Sequence, residues 1–384
     1  RGASPLVSAV AALPTTPGCR FPRLLAAGFM VMRTPRSGAW VVGRHSRRRG
    51  AEHLVDDVLK LCTVDVSRIS AETREALVEE MRWRQEQEDP DRAFLELPRL
   101  ATPRDAPRLL LLHGLEGSVR SHYAQALLNE AARRGWGADL LLFRSCGSEL
   151  NLTRRFYHSG ETSDVGFVLD RILDEFPASP LALAGVSLGG NVLLKFLGER
   201  GENLPPQLKA AAAISVPFDL ARSSSRVNHG FSKFYQRFFL NSLRKKAQEK
   251  ARRFPDLASQ DGIAALQTLE DFDNLITGPL HGFRDAQDYY ARSSSLPYLK
   301  NIRLDTLLLS AIHDPMPPAE VLDEARELAR SNSALVINFV EKGGHAGFIT
   351  GSIPWRPFYY AEHRVGEFFA ERFDLSPRLQ ALTR

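Results

Sequence analysis

Residues 181–199 read LALAGVSLGGNVLLKFLGE, and the character of the chain changes in the middle of this stretch. Residues 181–185 form a short apolar run of the kind that fills a strand buried on both faces. A helix-like segment follows with no polar linker, so the corner falls on Gly185-Val186-Ser187-Leu188-Gly189. Glycines two residues to either side of the serine let a strand and a helix approach closely. The serine backbone is then strained, and its hydroxyl is raised above the sheet at a helix N-terminus. The five-residue pattern is common by chance, and a plain structural turn would share it. Its place between a strand and a helix is what gives it weight.

Working outward, short apolar runs alternate with amphipathic helical patterns from about residue 107. Segments 109–112, 139–143, 181–185, 210–216, 306–311 and 335–340 read as six strands. Val165, Val168, Leu169, Ile172 and Phe176 mark one helix face, with Thr162 or Ser163 as N-cap, and further helices are expected at 123–132, 319–330 and 357–372. Strands apolar on both faces and separated by helices predict an α/β fold, with a mostly parallel sheet and helices on both faces. The alternation lapses at about 218–300. There Phe231, Phe234, Tyr235, Phe238, Phe239 and Leu243 form an aromatic stripe, followed by the basic LRKKAQEKARRF of 243–254. An insertion at this point lies above the carboxyl ends of the strands, as a helical cap. Its aromatic face would cover an apolar substrate or lie on a membrane surface; a packed cap with a solvated basic face is the plainer alternative.

A serine hydroxyl is a weak nucleophile until a base takes its proton, so the corner calls for a histidine oriented by a carboxylate. Of ten histidines, His345 in GGHAGF follows the sixth strand, where glycines allow a turn back toward Ser187. His363 falls in a helical pattern, His281 in the insertion and His113 in the loop after the first strand, and all three read as structural. Asp314, in AIHDPMPP after the fifth strand, is the preferred acid; Asp219, after the fourth, is its rival, and either could instead serve a turn or a helix N-cap. The backbone N–H of Leu188 and that of Leu115, in the HGLEG turn of 113–117, are the candidate oxyanion donors.

HGLEGS at 113, SHY at 121, YHSGET at 157, GVSLGGN at 185, HGFRDAQDYY at 281, HDP at 313 and GGHAGF at 343 together resemble the YheT-like α/β-hydrolases, the AB hydrolase 4 family, from about 107 to 372. The resemblance implies an α/β-hydrolase fold and a serine carboxylesterase or lipase, with Ser187, Asp314 and His345 on the family's triad positions. Two departures stand out. FRSCGSE at 143–149 replaces the family's FRGCSGE, and the family's N-terminal strand hairpin is not recognisable before residue 107.

Composition narrows the rest. The whole chain has a net charge of +5, yet residues 1–50 hold nine arginines and no lysine or acid, which leaves −4 for the remainder. That segment reads as an Arg-rich leader, disordered, with the composition of an organellar transit peptide as the alternative. Residues 51–106 read as a helical or irregular extension. Three scattered cysteines supply neither a disulfide framework nor a thiolate metal site, so a reducing, cytoplasmic setting is the default. HExxH, paired cysteines and phosphate loops are absent from the sequence, so no metal or organic cofactor is implied. The expected partner is a small acyl ester, lipids included, with a monomeric chain, membrane-surface contact only through the cap and no nucleic acid. An acyltransferase with the same triad, a non-catalytic binding protein of this fold and a nucleic-acid binder acting through RHSRRR (44–49) are the rivals.

Overall fold

The computed structural model describes residues 103–147, 149–350 and 358–373. The expectations for the leader and for 51–106 lie outside these residues. The first elements of the described residues are β1 (Arg108–Leu112), α1 (His122–Arg133), β2 (Gly137–Leu141), α2 (Ser163–Glu175), β3 (Leu181–Val186), α3 (Leu188–Arg200) and β4 (Leu208–Ile214). After an insertion come β5 (Thr306–Ala311), α10 (Ala319–Arg330), β6 (Leu335–Val340) and, last, α11 (Tyr360–Arg372). The six strands form one sheet in the order β2-β1-β3-β4-β5-β6, parallel throughout. Ile349–Thr350 and Phe358–Tyr359 add a separate two-residue antiparallel pair.

Period-two alternation divides the core. Leu110, Leu112 and Leu183 face α2, α3 and α10, whereas Leu109, Leu111 and Ala182 face α1 and α11. The all-leucine run of β1 is tolerated because water reaches neither face, and each fully buried leucine contributes roughly 1.5–3 kcal/mol. α3 is buried almost all round rather than amphipathic, since it packs on the sheet and is covered in turn. Strand order reverses at β1, because β2 lies on one side of it and β3 on the other. This is the switch point above which open parallel sheets bind ligands.

The N-cap of α2 is Thr162, but its hydroxyl donates to Glu199 at 2.7 Å instead of capping; Glu161 accepts the Ser163 N–H at 3.1 Å and does that work. Between β4 and β5 lie α4 (Leu220–Val227), α5 (Lys233–Arg253), α6 (Gln260–Ala265), α7 (Leu269–Phe272), a π turn (Asp273–Thr277), α8 (Gly278–His281) and α9 (Ala286–Ser293). Of the readings open for the aromatic stripe, the inward one holds for Leu243 but not for two of its phenylalanines. Phe234 and Phe238 of α5 are exposed, and the buried face of that helix is the aliphatic set Leu240, Leu243, Ala247 and Ala251. Nor is the basic run all solvated: Lys250 is buried, donates to Asn151 and the Arg155 carbonyl at 2.7 Å each, and lies over the Phe156 ring.

Candidate active site

Ser187 sits between β3 and α3 with φ 55° and ψ −121°, a conformation that non-glycine residues rarely adopt. Its N–H donates to the Ile214 carbonyl at 2.8 Å, which ties the corner to β4. The flanking glycines are required by contact. A Cβ on Gly185 would lie 2.5 Å from the Gly189 carbonyl oxygen, and one on Gly189 would lie 2.4 Å from the Leu112 oxygen and 2.5 Å from that of His113.

The loops after β5 and β6 complete the arrangement. His345 Nε2 lies 2.8 Å from Ser187 Oγ, and its Nδ1 lies 3.0 and 2.9 Å from the two oxygens of Asp314. Asp314 is held by its own turn: its N–H donates to the Ala311 carbonyl at 3.1 Å, and Oδ1 accepts the Met316 N–H at 2.9 Å. Its side chain is fully shielded from solvent, and that of His345 is 10% exposed. A carboxylate on Nδ1 puts the ring proton there and leaves Nε2 as an acceptor for the serine proton. The rival acid is spent elsewhere. Asp219 caps α4, accepting the Arg222 N–H at 2.9 Å and its Nε–H at 2.7 Å. His363 is on α11 beside Glu130 and Glu367. His113 is buried, accepts the Phe143 N–H at Nε2 (3.1 Å) and therefore donates from Nδ1 to the Gly114 carbonyl (2.7 Å); burial pushes it down to about 4.

In the HGLEG turn nearly every donor is used. Gly114 N–H donates to the Tyr123 hydroxyl and Glu116 N–H to the Tyr157 hydroxyl, at 2.8 Å each, and Gly117 N–H to the Gly114 carbonyl at 2.9 Å. Among the described residues Leu115 N–H has no acceptor, and neither has Leu188 N–H at the start of α3. Both residues line the cavity that holds Ser187.

Motif spelling alone did not reveal the supports of this turn. Glu116 has φ 54°, and its nearly buried carboxylate accepts from the Tyr157 hydroxyl, from Lys246 at 2.9 Å and from Ser242, the last two on α5. Asn191 donates to the carbonyls of Ser159 and Ser293 at 2.8 Å and accepts the Ser295 N–H at 2.9 Å, so α3 is pinned to the segment before α2 and to the C-terminal end of α9. A polar residue in a buried apolar helix was the available signal.

The family model for the alpha/beta hydrolase fold matches residues 107–352. The chain is 37% identical over 287 residues to the "Putative esterase YheT" of Escherichia coli K12, across 73% of this chain and 82% of that one. It belongs to the α/β-hydrolase family, in the YheT-like branch. "Phospholipase ABHD3" of Homo sapiens is 28% identical over 66% of this chain and 61% of its own length. "Monoacylglycerol lipase" of Saccharomyces cerevisiae is 28% identical over 65% and 57%. This chain thus spans about three-fifths of those two relatives.

In this α/β hydrolase the cavity beside Ser187 has a volume of about 110 Å³ and runs under the cap, with Leu220, Val227, Leu243, Phe272 and Met316 among its apolar lining. Nearby, His158, Glu161 and His281 bring potential ligand atoms within 4.8 Å of one another. Their hydrogen bonds do not suit a cation. Glu161 accepts from Ser163 and from the Arg155 guanidinium, and His158 Nδ1 accepts the Gly160 N–H at 3.1 Å, which puts the ring proton on Nε2. A metal would have to displace Arg155 and switch that tautomer. Burial holds His158 down to about 3 and His281 to about 4, so both are neutral. Among the described residues no helix is long and apolar enough to cross a membrane.

Proposed function

We propose that this protein hydrolyses carboxylic esters through an acyl-enzyme on Ser187. Ser187 Oγ attacks the ester carbonyl carbon as His345 Nε2 takes its proton, while the Asp314 carboxylate holds Nδ1–H and stabilises the imidazolium. The developing oxyanion is held by the N–H groups of Leu115 and Leu188. The imidazolium then protonates the departing alkoxide. Water, deprotonated by His345, adds to the acyl-enzyme, and collapse of the second tetrahedral intermediate releases the acid and returns the proton to Ser187. The observation that carries this reading is the unbroken hydrogen-bond chain from Ser187 Oγ through His345 to Asp314, opening on an apolar cavity. Support also comes from the backbone N–H groups of Leu115 and Leu188, which have no acceptor among the described residues and belong to residues that line the cavity with Ser187, and from relatives named as esterase and lipase. The apolar lining favours a medium or long acyl chain, and the cavity is suited to a single small ester rather than a polymer.

The test is turnover of p-nitrophenyl esters of increasing chain length by the wild type and Ser187→Ala, with fluorophosphonate labelling alongside. Ser187→Ala should fold normally, resist labelling and lose at least about 10⁴-fold in kcat/KM. Wild-type turnover by that variant would remove Ser187 from the mechanism.

A further inference from the structure

The cavity is not lined by apolar groups alone. Asp273, the first residue of the π turn, and Ser223 of α4 both line it. Asp273 Oδ1 accepts from the Thr277 hydroxyl at 2.7 Å and Oδ2 from the Tyr290 hydroxyl at 2.8 Å. Ser224 Oγ lies 3.1 Å from the same Tyr290 oxygen. A phenol has one proton, and here it goes to the carboxylate, so Ser224 donates to Tyr290 and the relay points at Asp273. Two hydroxyl donors leave about half of the carboxylate's acceptor capacity open. No lysine or arginine pairs with it among the described residues, and burial pushes it up to about 6. Ser223 Oγ is buried and has no hydrogen-bond partner among the described residues.

A carboxylate with no cation and a hydroxyl with no partner are both unfavourable in the wall of an apolar cavity, and a hydrocarbon chain packed against them would deepen the deficit. We propose that Asp273 and Ser223 form a polar subsite that takes an alcohol hydroxyl of the ligand; this rests on the reading of the cavity as an ester site. The donor balance selects the ligand. Asp273 offers only acceptors, whereas Ser223 can donate and accept, and an alcohol, which does both, satisfies the pair. An ammonium group would use Asp273 and leave the Ser223 proton unmet. Thr277, four positions on and so on the same helical face, holds the carboxylate by one oxygen.

Binding of non-hydrolysable ethers tests this without depending on turnover. Wild type, Ser223→Ala and Asp273→Leu are titrated calorimetrically with 1-O-octylglycerol, octyl methyl ether and octyltrimethylammonium. The glycerol ether should bind about tenfold more tightly than the methyl ether, one net hydrogen bond's worth, and each variant should bring the two within about twofold. Ser223→Ala is the decisive variant, because it deletes a group with no partner in the unliganded protein and a purely structural role predicts no change. Equal binding of the two ethers by the wild type, or a preference that survives Ser223→Ala, overturns the subsite. Tighter binding of the ammonium compound than of the glycerol ether overturns its assignment to a hydroxyl. Failure of the ester reading shows separately, as Ser187-independent turnover of nitrophenyl esters.

Discussion

Gly189→Ala probes the contact on which the site is built. The added methyl would lie 2.4 and 2.5 Å from the carbonyl oxygens of Leu112 and His113, both backbone atoms. To reach an ordinary carbon–oxygen separation, β1 and α3 must part by about 0.8 Å. Leu112 cannot yield alone, since it is in register with Leu141 on one side and Gly185 on the other. Forced overpacking of this kind costs about 3 kcal/mol where the obstacle is backbone. Alanine's better helix propensity returns about 1 kcal/mol, so the net loss is about 2 kcal/mol. The same displacement separates the N–H of Leu188 from that of Leu115, and errors near 1 Å in such constellations lower turnover about 100-fold. Denaturant unfolding and nitrophenyl ester kinetics read the two effects. Gly147→Ala, with nothing within 4 Å of its new Cβ, serves as the control and should change stability by less than about 0.5 kcal/mol. If Gly189→Ala is as stable as wild type or more so, with full activity, then helix propensity is the only force acting and the steric account of the corner is wrong.

Lys246→Met leaves the nearly buried Glu116 carboxylate with hydroxyl donors only, and should cost about 3 kcal/mol in unfolding free energy. Combined with Glu116→Gln it should recover a large part of that loss, and additive losses in the double-mutant cycle would mean the pair does not interact. Acid should destabilise the fold. His113 is held near 4 in the folded state against 6.5 unfolded, so the unfolded chain takes up a proton that the native one refuses. Its contribution is complete above about pH 6.5 and falls by roughly 1.4 kcal/mol per pH unit down to about 4, with His158 and His281 acting in the same direction. Asp273, raised to about 6, offsets part of this below pH 6, because there the native state holds the extra proton. Unfolding midpoints that stay level from pH 7 to 4.5 would contradict the burial of these imidazoles.

Much of this protein is written locally. Strand-length apolar runs between helical periods are enough to state a parallel α/β sheet, because a strand covered on both faces must be apolar throughout. The corner at Ser187 is legible for the same kind of reason: glycines at 185 and 189 record a close approach between elements adjacent in sequence. His345 and Asp314 could be preferred by their places after strands, yet Asp219 remained a rival on paper. It was the fold that spent Asp219 on the α4 N-cap and brought Asp314 to His345. The cap shows the limit most clearly. Its aromatic stripe left inward and outward readings open; Phe234 and Phe238 point out while Leu240 and Leu243 point in, since which face of a helix is buried depends on what it packs against. Glu116 and Lys246, 130 positions apart in the chain where they meet, and Asp273 and Ser223, which line one cavity, are ordinary letters in the sequence. Local sequence determines period and turn, which are properties of neighbours. Burial, counter-charge and an unfilled hydrogen bond belong to contacts between distant segments, and only the tertiary structure decides them.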